Sequence, residues 1–235
     1  ISGDVGPLPP GGPYYLDWDT LNGTNNLQEV EDDTVWFRMK VDSGVAIGEV
    51  VATYYFPHEP LDIQDPVALT FKDNKLFVFE SGLGRIVELS FDGSQYLVYE
   101  NQYIPAYDAI DGIVWAPSQH YFYATDRRYG DLHKYSATWV KIDSGGIGED
   151  DPQGLTWDGE YVWMTGKEHD ALEKFDPVSL GFLESHPAII SNPEGVAWDG
   201  SRMWAIREEN FGDTTLYRYS PDLSSAEEFP GQNGI

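Results

Sequence analysis

The strongest constraint on the fold is a pattern that returns at nearly constant spacing along the chain. In each copy an apolar residue ends one predicted strand, a short polar turn follows, and an aromatic residue opens the next strand. The pairs are Val30/Trp36, Phe71/Phe77, Trp115/Tyr123, Trp157/Trp163 and Trp198/Trp204, so their first members lie 41, 44, 42 and 41 residues apart. A hairpin of this size buries too little surface to be stable alone, and each copy therefore needs its neighbours.

Two further features recur with the same period. The turns are Asp32-Asp33, Asp73-Asn74, Pro117-Ser118, Asp158-Gly159 and Asp199-Gly200. A third strand is predicted in four copies, at Arg85–Leu89, Leu132–Tyr135, Leu172–Phe175 and Leu216–Tyr219. Repeats of about 40 to 45 residues with four strands are typical of propeller blades. The sequence therefore predicts an all-β, five-bladed β-propeller.

The N-terminal region departs from the repeat. Residues 1–19 are predicted to be an extended arm, because Ile1–Pro13 contains four Pro and four Gly. Residues 20–235 are predicted to be one propeller domain. Tyr14–Asp19 has strand character and has two interpretations: it closes the ring on the last blade, or it pairs with an exposed edge of another molecule. The second is favoured, because Ser225–Phe229 can supply the last blade with its own outer strand. Such head-to-tail addition yields filaments.

Charge excludes one class of partner. The chain has 14 basic and 40 acidic residues and a net charge of −26, so a nucleic-acid partner is not expected. The Arg127-Arg128 doublet is expected to pair with nearby carboxylates. The acidity has two interpretations, solubility in a salty or hot habitat and attraction for divalent cations such as calcium.

The cellular location is predicted from the start of the chain. The sequence contains no cysteine, which excludes disulfides without indicating a redox compartment, and no apolar run of the ~18 residues that a membrane span requires. It begins at Ile1 without Met, as a mature chain does after removal of a signal peptide and as a shortened chain also does. We therefore expect a secreted or cell-surface protein, with self-association or another extracellular protein as its partner.

One position of the repeat carries the candidate binding residues. The residue before the small residue that opens each first strand is Val67, Asp111, Gln153 or Glu194. First strands are innermost in a propeller, so the three polar side chains are expected at one mouth of the central channel. Asp111 and Glu194, with Gln153 beside them, could hold calcium, which takes oxygen ligands. Alternatively they satisfy backbone groups or channel water.

A second candidate calcium site lies near the N-terminus. Asp17, Asp19 and Asn22, followed by Gly23, approximate an oxygen-ligand loop with one residue more than the EF-hand spacing. Asx turns before a strand would produce the same letters. No catalytic motif is evident: the five histidines lack metal-ligand spacing, and most are expected at the surface.

The Pro-x-Gly-aliphatic-x-aromatic-Asp-Gly pattern of residues 151–163 and 192–204 resembles the broad group of NHL, YncE-like and gluconolactonase (regucalcin)-like propellers. The resemblance implies the propeller fold. In the gluconolactonase-like enzymes a channel metal is held by an inner-strand glutamate, which Glu194 resembles. The favoured function is a binding or assembly module. The alternative is a metal-dependent hydrolase or lactonase that uses Asp111 and Glu194 as ligands.

Overall fold

A computed structural model describes residues 14–17, 37–41, 53–54, 66–81, 83–91, 96–103, 110–148, 151–166, 169–208 and 214–230. The elements it describes are all strands, arranged in five antiparallel sheets. The N-terminal sheet contains β1 (Tyr14–Asp17), β2 (Phe37–Val41) and β3 (Thr53–Tyr54). Blade 1 contains β4 (Pro66–Lys72), β5 (Lys75–Glu80), β6 (Arg85–Phe91) and β7 (Tyr96–Tyr103). Blade 2 contains β8 (Ile110–Ala116), β9 (Tyr121–Asp126), β10 (Asp131–Ser136) and β11 (Lys141–Gly146). Blade 3 contains β12 (Pro152–Trp157), β13 (Val162–Gly166), β14 (Ala171–Phe175) and β15 (Phe182–Pro187). Blade 4 contains β16 (Gly195–Trp198), β17 (Met203–Glu208), β18 (Thr214–Tyr219) and β19 (Ala226–Pro230).

The described part of the chain forms four blades, so the prediction of five is corrected. Each blade is a four-stranded meander in chain order, whereas the N-terminal sheet has three strands. In that sheet β1 pairs with β2, with Tyr14 opposite Val41 and Asp17 opposite Arg38. Strand β1 thus lies on the edge of β2 at which the first strand of a blade would pair. The predicted first strand, residues 27–30, falls outside the described residues, and its Gln-Glu centre makes it the least apolar of the repeats.

Blade 4 takes all four of its strands from residues 195–230. Its outer strand β19 confirms that the last repeat supplies its own edge. Tyr14–Asp17 therefore does not complete blade 4, and within this chain its partner is β2. Of the predicted arm, residues 1–13 and 18–19 lie outside the described residues.

The predicted hairpins of the four blades are confirmed, and their turn residues explain them. Asp73 and Asn74 both adopt left-handed backbone angles, with φ of 51° and 62°, as a two-residue type I′ turn requires. In blade 3 the Asp158 carboxylate accepts hydrogen bonds from the backbone N–H of Tyr161 (2.7 Å) and the indole Nε1 of Trp163 (2.7 Å). This turn therefore fixes the aromatic residue that opens the second strand.

Blade 4 repeats this arrangement. Asp199 accepts from the indole of Trp204 at 2.7 Å and from the hydroxyl of Ser201 at 2.8 Å. Burial raises the pKa of Asp199, but the hydrogen bonds from Trp204 and Ser201 outweigh burial and leave the pKa below its usual value.

The apolar core lies between the blades. The inner strand β4 packs beside β8, β8 beside β12, and β12 beside β16, so the four blades follow one another in chain order. Buried side chains fill each junction, including Phe77 and Phe122 between blades 1 and 2 and Val162 between blades 2 and 3. Wide aromatic side chains suit these wedge-shaped gaps.

Three tryptophans refine the predicted core. Trp139, which lies outside the repeat phase, is buried and stacks on Phe122 with ring centroids 4.0 Å apart. Trp157 and Trp198 occupy equivalent inner-strand positions and are half-buried. Within the described ranges there is no helix of the length and apolarity that a membrane span requires.

Candidate functional site

Asp111, Gln153 and Glu194 occupy the same place at the beginnings of three consecutive inner strands. Each directly precedes a glycine, Gly112, Gly154 or Gly195. The backbone N–H of Gly154 donates to the carbonyl of Glu194 at 2.8 Å, which joins the beginnings of neighbouring inner strands directly. The three positions therefore lie in succession at one end of blades 2, 3 and 4, and we call them the slot residues.

Two threonines connect the slot residues across the blade junctions. The hydroxyl of Thr125 accepts from the N–H of Gly112 (2.8 Å) and donates to the carbonyl of Gln153 in the next blade (3.2 Å). In blade 3, Thr165 accepts from the N–H of Gly154 at 3.1 Å and donates to the carbonyl of Glu194 at 3.2 Å. Both threonines are fully buried, so the bonds they make are shielded from water.

The glycines are required because the backbones of adjacent blades nearly touch. A Cβ on Gly112 would lie 2.3 Å from the carbonyl oxygen of Gln153. One on Gly154 would lie 2.7 Å from the backbone nitrogen of Val196. No side chain fits in such a gap, which explains the glycine that follows Asp111 and the one that follows Gln153, whereas a Cβ on Gly195 would meet the Ile206 side chain of its own blade at 2.7 Å.

A second pair of threonines binds the inner strands further along. Thr70 of blade 1 accepts from the backbone N–H of Trp115 in blade 2 at 2.9 Å, and Thr156 of blade 3 accepts from that of Trp198 in blade 4 at 3.0 Å. At the junction of blades 3 and 4 the inner strands are thus joined at two levels, by Thr165 and by Thr156. These bridges were not predicted, although Thr125 and Thr165 recur at equivalent positions of their repeats.

The slot side chains already take part in polar contacts. The carboxylate of Asp111 lies 3.1 Å from Nε of Arg127, which confirms the expected pairing for the first arginine of the basic doublet. The amide nitrogen of Gln153 donates to Asp151 at 2.8 Å. The Asp111 side chain is 13% exposed and that of Arg127 is 56% exposed. This end of the blades therefore presents a paired acid and base beside an amide and a second carboxylate.

The predicted metal ligands are only partly described. In the parts of the chain that the structure covers, no group of three His, Asp or Glu side chains is placed to hold a metal ion. Asp17 lies in β1, and Asp19 and Asn22 fall outside the described residues. Asp111 and Glu194 remain the candidate calcium ligands.

A partly buried group of titratable side chains lies near Arg127 and was not predicted. His133 on β10 is 1% exposed, whereas His120 and His169 are exposed, as expected for most of the histidines. Its Nε2 lies 3.0 Å from Nζ of Lys141, 3.8 Å from Asp126 and 3.7 Å from Asp131. The alternation of side chains along β10 does not predict the burial of His133, because neighbouring blades cover both faces of the sheet.

No protein-family model and no curated protein matches this chain. Solved structures do resemble it, and they are β-propellers. A chain of the nidogen/laminin complex is 16% identical with a TM-score of 0.57, over 85% of this chain and 76% of that one. Streptogramin B lyase is 17% identical with a TM-score of 0.53, over 93% of this chain and 73% of the lyase. Hydrazine synthase of Kuenenia stuttgartiensis is 13% identical with a TM-score of 0.54, over 78% of this chain. This chain spans only about half of the hydrazine synthase chain, 53%. At these identities the likeness shows the fold alone.

Proposed function

We propose that this β-propeller is a binding module whose recognition surface is the end of the blades that carries Asp111, Gln153 and Glu194. The observation that carries the proposal is that backbone and side chains of the slot have different roles. The carbonyls of Gln153 and Glu194 hold adjacent blades together, while their side chains are partly exposed and differ from blade to blade. A rigid backbone with variable side chains is the usual arrangement of a recognition surface.

The chemistry of the slot favours binding of a polar partner. Arg127 offers an exposed guanidinium, Gln153 offers an amide, and Glu194 offers a carboxylate. Such an array supplies hydrogen-bond donors and acceptors of both charges, which gives specificity towards a polar protein surface. The resemblance to a chain of a protein–protein complex, nidogen/laminin, supports a protein partner.

Calcium is a second part of the proposal. Asp111 and Glu194 begin inner strands on either side of blade 3, and a hard cation bound between such carboxylates would strengthen the surface for an anionic partner. Calorimetric titration with calcium tests this idea. We expect heat of binding with the wild type and none with Glu194→Gln, and equal titrations of the two proteins would contradict it.

Self-association through the N-terminal arm is a third part. Because β1 pairs with β2 of its own chain, exchange of β1 between copies could keep the same register, with Tyr14 opposite Val41 of the neighbour. Light scattering and electron microscopy of a chain that begins at Asp19 test this. We expect oligomers or filaments to disappear; an unchanged assembly state with a lower melting temperature would refute exchange.

The binding proposal is tested with variants of the slot. We would immobilise the wild type, Glu194→Gln, Arg127→Gln and the matched outer-strand control Glu228→Gln, and measure retention of secreted proteins from the native host. Retention should fall with Glu194→Gln and Arg127→Gln and persist with the control. Equal retention by all four proteins would exclude this surface.

Chelator-sensitive lactone hydrolysis that Glu194→Gln abolishes would instead establish the metal-dependent hydrolase. Secretion itself stays a hypothesis, which fractionation of the host would test.

A further inference from the structure

The outer strands of blades 2 and 3, with the turns that lead into them, expose an unusual number of apolar side chains. The residues are Val140 (59% exposed), Ile142 (53%), Val178 (68%), Phe182 (51%) and Leu183 (48%). We call this set the outer apolar patch. Single exposed apolar residues are ordinary, but a group of five on two adjacent blades marks an interaction surface.

Contacts join the two blades beside the patch. The turn between β14 and β15 contacts blade 2, where the hydroxyl of Tyr123 and Nζ of Lys134 both donate to the carbonyl of Pro177, at 2.8 and 3.0 Å. Val178 directly follows Pro177, and Ile142 directly precedes Asp143, which pairs across the sheet with Lys134. The chain segments that carry Ile142 and Val178 are thus both next to this interblade contact.

The same turn reaches the far end of β11. The Cβ of Leu180 lies 3.0 Å from the place that a Cβ on Gly145 would take, so the two backbones are in contact there. Phe182 follows Leu180 by two residues and opens the outer strand β15. The patch thus runs from β11 across the turn to the start of β15.

The strand β11 also offers a backbone edge. It is the outermost strand of blade 2, and among the described residues β10 is its only partner in the sheet. Five of its six residues are exposed. An edge strand of this kind can accept another strand through backbone hydrogen bonds along its outer side.

Charge indicates what kind of strand would be accepted. Asp143 lies within β11, and Asp176 lies at the base of the turn. Hydrogen bonds from the backbone and side chain of Ser179 hold the pKa of Asp176 below its usual value, so this group remains anionic at neutral pH. The whole chain carries a net charge of −26, which repels a second acidic copy and attracts a basic partner.

We propose that the outer apolar patch is a docking site for an extended, basic segment of another protein, which adds to β11 as a further strand and covers Ile142, Val178 and Phe182 with its apolar side chains. This surface is separate from the slot, and it would operate whether or not the slot binds a partner.

The probe is a fluorescent synthetic peptide in which lysine and valine alternate over about seven residues, the typical length of a strand. Anisotropy would follow its binding to the wild type, Ile142→Asp and Val178→Asp. The control is Ile189→Asp, because Ile189 is similarly exposed (47%) and lies outside the patch. We expect the first two variants to weaken binding roughly tenfold and the control to bind as the wild type does. Near-ultraviolet circular dichroism would verify that each variant is folded.

Two comparisons separate the proposal from its rivals. A peptide of equal charge in which proline replaces alternate valines cannot pair with β11 and should bind more weakly; equal binding would reveal mere attraction to an acidic surface and overturn the proposal. Equal binding of the alternating lysine–valine peptide by Ile142→Asp, Val178→Asp and Ile189→Asp would overturn the proposal as well. Glu194→Gln should leave peptide binding unchanged, and loss of binding in that variant alone would assign the peptide to the slot.

Discussion

Replacement of Gly112 by alanine tests whether the close approach of adjacent blades determines stability. The added methyl group would lie 2.3 Å from the carbonyl oxygen of Gln153, 3.0 Å from the nitrogen of Leu155 and 3.1 Å from Oγ1 of Thr125. Ordinary contacts of a Cβ begin near 3.4 Å, so the junction between blades 2 and 3 must open by about 1 Å. Two of the three obstructing atoms belong to backbone and cannot rotate away.

The expected cost combines two effects. Overpacking of a rigid interface typically costs ~1–3 kcal/mol. Opening the junction also lengthens the bonds that Thr125 makes with Gly112 and Gln153, each worth ~0.5–1.5 kcal/mol. The reduced freedom of alanine in the unfolded chain returns ~0.4–1 kcal/mol. The free energy of unfolding should therefore fall by about 2–4 kcal/mol.

Urea denaturation followed by tryptophan fluorescence would measure the change. Gly146→Ala is the matched control, because it lies in the same blade and its Cβ would meet only Oδ1 of Asp131 at an ordinary 3.8 Å. The control should stay within ~0.5 kcal/mol of the wild type or become slightly more stable. If Gly112→Ala and Gly146→Ala unfold at the same urea concentration, the junction is not rigid and the reasoning fails.

Three further perturbations test other parts of the fold. Thr165→Val removes the hydroxyl that bridges Gly154 and Glu194 and should lower the free energy of unfolding by ~1–2 kcal/mol in urea titration; no change would contradict the bridge. Asp158→Ala leaves the indole N–H of Trp163 without its acceptor and should lower the melting temperature, whereas an unchanged calorimetric scan would contradict the turn's role. Burial raises the pKa of Tyr219 to about 12 from its usual 10.0, so the stability it contributes is complete below pH 10 and is lost as the pH rises towards 12. Tyr219→Phe should flatten the stability profile in that range, and an identical alkaline profile would refute this.

The four regular blades could be predicted because their signals are local. A short polar turn, such as the two residues Asp73-Asn74 or the four residues that begin with Asp158-Gly159, fixes a hairpin without reference to the rest of the chain, and β4–β5 and β12–β13 form as expected. The number of complete blades could not be predicted in the same way. It depends on which strand pairs with β2, and Tyr14–Asp17 holds that edge although it lies twenty residues before β2 begins.

The strand positions of the three candidate residues could be predicted, whereas the contacts around them could not. The small residue after each slot position indicated the beginnings of the inner strands, where Asp111, Gln153 and Glu194 are found. The sequence around Thr125 does not indicate that its hydroxyl bonds to the next blade, because that contact joins residues 28 positions apart. The burial of His133 could not be predicted for a related reason: burial on both faces of β10 comes from neighbouring blades, which the local alternation of side chains does not indicate.

The structure implies that the slot side chains can change without a change of the fold. At the two junctions around blade 3, the bonds to Thr125 and Thr165 use the backbone carbonyls of Gln153 and Glu194, which every residue type retains. Every residue type except proline also keeps the backbone N–H that pairs the strand on its other side. Substitutions at Gln153 or Glu194 should therefore cost little stability, while those at Gly112 or Thr165 should cost much. If the slot has the proposed binding function, charge reversal at Glu194 would alter recognition at nearly constant free energy of unfolding. A protein that uses this surface to bind partners gains from that separation, since specificity can diverge where stability is insensitive.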